Sequence, residues 1–131
     1  MVGGGSELER LKAQAGPNVH FTGRLPTPQV VDYMQRARAF LFAGIEDFGI
    51  VMAEAQACGT PLVAFGRGGA AEIVREDTGV LFDEQSSDAV LRAIERFEAR
   101  TFVPAACRAN ALRFDRAVFR ERFAEVLRRA R

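Results

Sequence analysis

The residues whose types and spacing suit chemistry lie between positions 44 and 61, GIEDFGIVMAEAQACGTP. Two acids, Glu46 and Asp47, precede a glycine and an apolar run of helical character, and a third, Glu54, falls inside that run. The first N–H groups of a helix have no intrahelical acceptor and form a ready anion site, so phosphate suits this loop. Carboxylates repel phosphate while they stabilise a helix N-terminus. One reading therefore makes Asp47 a helix cap and Glu46 a solvated charge. The other gives the ligand hydroxyls beside its phosphates, because carboxylates accept hydrogen bonds from sugar hydroxyls. A sugar nucleotide meets both requirements. Glu54 sits about one turn into the helix with its side chain leaning toward the N-terminus, within reach of a ribose.

Other chemistries find little support. The single histidine, His20, alternates with Val19 and Phe21 in an expected strand, which suits a polar or edge position. With one histidine and no nearby cysteine pair, a zinc cluster of the usual spacing cannot be built. Cys58 and Cys107 are the only thiols, and Cys58 lies in an apolar helical run, so no disulfide is indicated. Net charge is +1, which gives no global field favouring nucleic acid. The charge is uneven: residues 72 to 98 hold eight acids against three arginines, and residues 105 to 131 hold eight arginines against three acids. The longest apolar runs, such as AFLFAGI, are too short to cross a bilayer, and MVGGGSELER does not read as a signal peptide. The sequence thus reads as a cytoplasmic, single-domain chain over residues 1–131.

The elements that must position the acids alternate in type. SELERLKAQAG reads as a short helix capped by Ser6, VHFTG as a strand, and PTPQVVDYMQRA as a helix with Val30, Val31 and Met34 on one side. AFLFAGI and PLVAF are continuous enough for parallel strands covered on both faces. IVMAEAQACG reads as a helix ended by Gly59, GGAAEIVRE as a short helix and GVLF as a last strand. SSDAVLRAIERFEAR follows as an amphipathic helix with a serine cap, and basic helices occupy about residues 104–130. Such alternation predicts an α/β fold: a Rossmann-like three-layer α/β/α arrangement with a mostly parallel sheet. Ligands bind such sheets beyond the carboxyl ends of the strands, which points to the loops GGGSE, GRLPT, GIEDFG and FGRGG. Gly66, Gly68 and Ala71, with acids from Asp83 to Asp88, also fit a dinucleotide fingerprint. That fingerprint belongs in a first strand–helix unit, and turn glycines account for it at this late position.

Glu46, Phe48-Gly49, Glu54-Ala55, Gly59-Thr60-Pro61 and Gly68-Gly69-x-x-Glu72 resemble the donor-site signature of family-four retaining glycosyltransferases of the GT-B fold. NVHFTG, the helix ending in Arg38-Ala39, and TGVLF with the AIERF-like helix extend the resemblance over about residues 2 to 100. It implies that Glu46 faces the transferred hexose, as the catalytic residue. The backbone N–H groups of Phe48, Gly49, Ile50 and Val51 would hold sugar hydroxyls and diphosphate, and Glu54 the ribose. Gly66 to Gly69, with Gly68 and Gly69 central, would form the neighbouring loop, and Arg24 and Leu25 would lie near the base. The resemblance further implies retention of anomeric configuration, no dependence on a metal or other cofactor, and a nucleoside-diphosphate sugar as donor, its leaving group stabilised electrostatically.

The same resemblance marks what the chain does not contain. The family's amino-terminal acceptor domain has no counterpart, nor do the first strand and helix of the carboxyl-terminal domain, which carry an Arg and a Lys for the diphosphate. VGGGSELERL resembles the end of the second strand and its helix. The expectation is a donor-binding portion inactive in isolation; the alternative is a noncatalytic nucleotide- or dinucleotide-binding or assembly module. In a sheet of order 3-2-1-4-5-6 the missing strand is central, so rearranged pairing, or a homodimer through sheet edges or segment exchange, is expected. In the resembled enzymes the final helix packs toward the absent domain. Here Val118, Phe119, Phe123, Val126 and Leu127, set among arginines, also suit peripheral contact with an anionic membrane; core packing with snorkelling arginines is the plainer reading.

Overall fold

The computed structural model describes residues 1–129. Its backbone separates into two compact units, residues 1–33 and 34–131.

In the amino-terminal unit, helix α1 spans Leu8–Gln14. It starts after Glu7 without a side-chain cap, so the expected Ser6 cap is not formed. A turn replaces it, in which the Leu8 N–H donates to the Gly5 carbonyl at 3.1 Å. VHFTG is not a strand. Gly3 and Gly23 form one isolated antiparallel bridge, with the Gly3 N–H on the Gly23 carbonyl at 2.7 Å and the Thr22 N–H on the Met1 carbonyl at 3.0 Å. A parallel ladder needs a partner of several residues, and Gly3-Gly4-Gly5 has neither side chains to pack nor β-propensity. Helix α2, Thr27–Arg36, runs across the boundary between the units.

The larger unit is a parallel α/β sandwich. Strands β1 (Phe40–Phe42), β2 (Leu62–Phe65) and β3 (Gly79–Phe82) lie in the order β1-β2-β3, and both pairings are parallel. Helix α3 (Ile50–Ala57) connects β1 to β2, α4 (Gly69–Ile73) connects β2 to β3, and α5 (Ser87–Glu98) follows β3. β2 is central and buried at every position. Val63, Phe65, Val80 and Phe82 pack against Ala89, Ala93 and Phe97 of α5. Since side chains alternate along a strand, Leu62 and Ala64 point to the opposite face, where α3 and α4 contact β2. Three layers result. Burying these apolar groups is the main favourable term in the unit's stability.

β1 departs from expectation. Leu41 is 51% exposed, so AFLFAGI is not covered on both faces; the ordered strand is three residues long and lies at the sheet edge. α5 conforms: Ser86 Oγ accepts the Ala89 N–H at 3.2 Å as its N-cap. α3 is followed by Gly59 at φ +89°, a left-handed position that favours glycine. Helix α6 (Pro104–Ala111), a single 3-10 turn (Leu112–Phe114) and α7 (Arg116–Arg129) finish the described chain. The basic helices thus match expectation up to residue 129, and residue 130 lies outside the described residues.

Candidate functional site

Three parallel strands place their carboxyl ends on one rim, and the loops leaving them are fastened together by backbone. The Gly69 N–H donates to the Glu46 carbonyl at 2.8 Å, and the Gly66 N–H to the Phe82 carbonyl at 2.8 Å. Gln85, after β3, donates from Nε2 to the Ala43 carbonyl at 2.7 Å. A Cβ on Gly69 would overlap the Phe48 carbonyl, and one on Gly68 the Glu46 carbonyl. Gly68 also sits at φ +59° and Gly49 at φ +82°, where side chains are strained. The glycines are therefore required because two backbone segments meet without room for side chains. Glu46, Phe48, Gly49, Gly68 and Gly69 are brought together as the sequence suggested.

The loop ends in a helix start with free donors. The first backbone bonds of α3 are those of Met52 N–H and Ala53 N–H to the Gly49 carbonyl, at 2.9 and 3.3 Å. Among the described residues, the N–H groups of Phe48, Gly49, Ile50 and Val51 have no protein acceptor. Asp47 does not cap this helix, contrary to the plainer reading: the N-cap is Gly49, whose missing side chain forms no capping bond. A cap must stand at the residue where the helix begins, and Asp47 is two residues early. Glu46 and Asp47 are both exposed at the rim.

Glu54 is exposed on α3, further along the same helix. It lines an open groove of about 630 Å³ with Phe48, Ile50, Arg108, Leu112 and Phe114. Its charge, after burial, is the second cause that pushes the Cys58 thiol above its ordinary pKa. Ile50 and Phe48 are 62% and 54% exposed, which leaves apolar surface beside the free amides. Arg24, the residue expected near the base, stands exposed in the amino-terminal unit just ahead of Leu25 and α2. The dinucleotide fingerprint gains little from its setting, since the helix it opens, α4, is only five residues long.

Two contributions escaped sequence reasoning. Arg67, exposed in the second loop, lines a smaller cleft with Gly66, Asp83 and Arg96 and gives the rim a cation. Its signal was present, as an arginine between loop glycines. Phe114 is the other: its ring meets Phe48 edge to face, with centroids 5.9 Å apart and planes at 90°. No local pattern announces a contact across that sequence separation. Among the described residues no group of three or more His, Cys, Asp or Glu side chains is placed to hold a metal ion, and no helix is long and apolar enough to cross a membrane.

Comparison with known proteins fits this geometry. The family described as "Glycosyl transferases group 1" matches residues 1–114. A GDP-mannose-dependent monoacylated alpha-(1-6)-phosphatidylinositol monomannoside mannosyltransferase from Corynebacterium glutamicum is 35% identical over 99 residues, covering 67% of this chain and 26% of that protein. A GDP-mannose-dependent alpha-(1-6)-phosphatidylinositol monomannoside mannosyltransferase from Mycobacterium tuberculosis is 36% identical over 108 residues, covering 72% and 28%. Among solved structures, a sucrose-phosphate synthase from Thermosynechococcus elongatus superposes with a TM-score of 0.72 at 27% identity, over 95% of this chain and 33% of that one. A glycosyltransferase involved in avilamycin A biosynthesis shares the fold, with a TM-score of 0.74 at 22% identity over 99% of this chain and 42% of that one. The chain thus spans roughly a quarter to two fifths of the length of the proteins it matches. With its parallel α/β sheet and these relatives, the chain belongs to the group 1 glycosyltransferases, the family-four type of the GT-B fold.

Proposed function

We propose that this chain is the donor-binding portion of a retaining hexosyltransferase and that the rim between β1 and β2 takes a nucleoside-diphosphate sugar. The observation that carries the reading is the set of four unpaired N–H groups, Phe48 to Val51, at the end of a loop that Gly68 and Gly69 pack from beneath. Phosphate oxygens and sugar hydroxyls are acceptors that such free donors can satisfy. Glu46, exposed beside them, is suited to the hydroxyls of the transferred sugar, and Glu54, in the groove along α3, to the ribose. Two of the relatives named above are GDP-mannose-dependent, which supports a purine nucleotide as the first donor to try.

The chain alone is expected to bind without turning over. Transition-state stabilisation in phosphate departure relies on cations and dipoles fixed around the leaving group, and the rim described here offers one helix start with Arg67 and Arg96 in the cleft beside it. The test is a titration of the labelled chain with GDP, UDP and ADP and with their sugar conjugates, following the amides of Phe48 to Val51 by NMR. Saturable shifts at those amides, weakened in Glu54→Ala, support the reading and identify the base. Shifts elsewhere, or equal binding by Glu54→Ala, refute the assigned roles.

A further inference from the structure

We infer that Phe114 is a positioning residue for the donor loop, acting through the ring of Phe48 and anchored by Arg113; this rests on the donor-site reading above. Phe48 is held from one side only by its backbone, where its carbonyl lies against Gly69 with no space for a Cβ. Phe48 as a residue is more than half exposed, so core packing does not fix it. The next residue, Gly49, is the buried N-cap of α3 at φ +82°, its carbonyl accepting the Met52 and Ala53 N–H groups, so the helix start is fixed and the Phe48 side chain is the part left to be placed. The exposed Phe48 side chain therefore takes its position, and with it the peptide beside the free amides, from the group it touches. The edge-to-face contact with Phe114, at 5.9 Å, is the ring contact that Phe48 makes.

Phe114 can serve because it is itself secured. The Arg113 guanidinium lies over its ring, 5.1 Å from the centroid. Arg113 Nη1 donates to Asn110 Oδ1 at 2.8 Å, and Asn110 Nδ2 donates to the Ile73 carbonyl at 2.6 Å and to Gln56 Oε1. Asn110 and Gln56 are buried. The sequence of contacts therefore starts in the core, at α3 and the end of α4, and finishes on Phe48, a side chain of the donor loop beside the free amides. Asp115 closes the segment on the other side, its Oδ1 accepting the Ala117 N–H at 2.7 Å where α7 begins. A turn of only three residues, Leu112–Phe114, thus has both ends fixed.

The experiment compares the full chain with Phe114→Leu, Phe114→Tyr, Phe48→Leu and the Phe48→Leu/Phe114→Leu pair, first without nucleotide and then with GDP. In the nucleotide-free protein, Phe114→Leu should shift and broaden the amides of residues 46–51 while those of β2, β3 and α5 keep their positions. Phe114→Tyr, which retains the ring edge, should restore them. GDP affinity should fall roughly threefold to tenfold in Phe114→Leu, the range an aromatic pair is worth, with no further loss in the double variant. Unchanged amides at 46–51, or fully additive losses in the pair, overturn the inference. Uniform shifts across the sheet overturn it as well, since they mark a general packing role. If the parent chain binds no nucleotide, the donor-site reading fails, and the nucleotide-free spectra still decide the positioning role.

Discussion

Replacing Asn110 by alanine tests whether the buried amide network or the apolar core fastens α6 to the rest of the unit. Asn110 is 5% exposed and Gln56 is wholly buried. The Asn110 amide supplies the donors for Gln56 Oε1 and for the Ile73 carbonyl, and Gln56 Nε2 reaches the Thr78 carbonyl at 3.4 Å. Alanine leaves two buried acceptors without donors. Each such orphan costs about 1–3 kcal/mol, so Asn110→Ala should lose about 2–6 kcal/mol. The bond from Arg113 adds less, because water can replace a partner at the partly exposed guanidinium. At 131 residues, between the small and large size classes, each kcal/mol moves the midpoint by about 3–6 °C, so the fall in Tm should be about 6–36 °C. Urea denaturation followed by circular dichroism gives the free energy directly. The decisive comparison is the pair Gln56→Leu/Asn110→Leu, which removes both amides: its loss should be smaller than the sum of the single losses. An Asn110→Ala loss below about 1 kcal/mol, the size of an ordinary substitution, or strict additivity in the pair, would refute the reasoning.

Further outcomes follow from the same coordinates. Gly69→Ala forces a Cβ into the Phe48 carbonyl and should cost about 1–3 kcal/mol while displacing the amides of residues 46–51, read by NMR. Burial, followed by the charges of Glu54 and Asp77 respectively, raises the thiols of Cys58 and Cys107 above the ordinary value of 9.0. A thiol whose folded pKa is raised contributes stability that is present below the unfolded value and lost as pH rises through the folded one. Urea midpoints should therefore fall as the pH rises above about 9, and fall less in Cys58→Ala/Cys107→Ala; an identical fall in both proteins removes the thiols as its cause. On α7 the exposed side chains of Phe119, Phe123, Val126 and Leu127 share a stripe flanked by Arg120 and Arg122, with Glu121 and Glu125 on the far side at helical spacing. Flotation should carry the chain with anionic vesicles but not with neutral ones, and Phe119→Asp/Phe123→Asp should abolish it. Short β1 forms one edge of the three-stranded sheet, and Leu41 on it is half exposed. Light scattering should show a mass that rises with concentration, reduced by Leu41→Lys, because a lysine blunts strand addition; a constant monomer mass rules edge pairing out.

What was legible in the sequence depended on whether the deciding interaction was local. Ser86 caps α5 and the PLVAF run is buried throughout because a cap needs only the next three residues and a continuous apolar run has no solvent-facing side. The loop of residues 44–51 was legible for a related reason: Gly68 and Gly69 mark where backbone meets backbone, and Gly49 a left-handed turn into α3. Ser6, VHFTG and AFLFAGI misled because a second interaction overrode the local one. A turn at Gly5 replaced the cap, the strand lacked a partner longer than a bridge, and β1 lacked cover on one side. Asp47 failed through register, since the helix starts two residues later than a cap there requires. Phe114 was hidden altogether, for its partner Phe48 lies far away in sequence and neither residue belongs to a periodic pattern.

The electrostatics of the rim set what such a loop can do by itself in the proposed reading. Four amides converging on an anion, at about 1 kcal/mol net for each hydrogen bond, give about 4 kcal/mol, which corresponds to a dissociation constant near 1 mM. The α3 N-terminus adds a partial positive charge worth about 0.3–1 kcal/mol at a surface site. Glu46 and Asp47 stand exposed beside those amides and oppose a diphosphate, so their presence is a cost unless sugar hydroxyls face them. This asymmetry separates a donor-sugar site from a general phosphate site. Inorganic diphosphate gains the amides and meets the acids, whereas a sugar nucleotide turns one acid into a hydrogen-bond acceptor and gains Glu54 as well. Arg67, which shares the smaller cleft with Arg96, can add one charge-assisted contact of about 1.5–3 kcal/mol, enough for binding in the micromolar range but not for stabilising a departing diphosphate. On this reading the loop selects and orients the donor, and the cations that drive the chemistry must be supplied from outside the described rim.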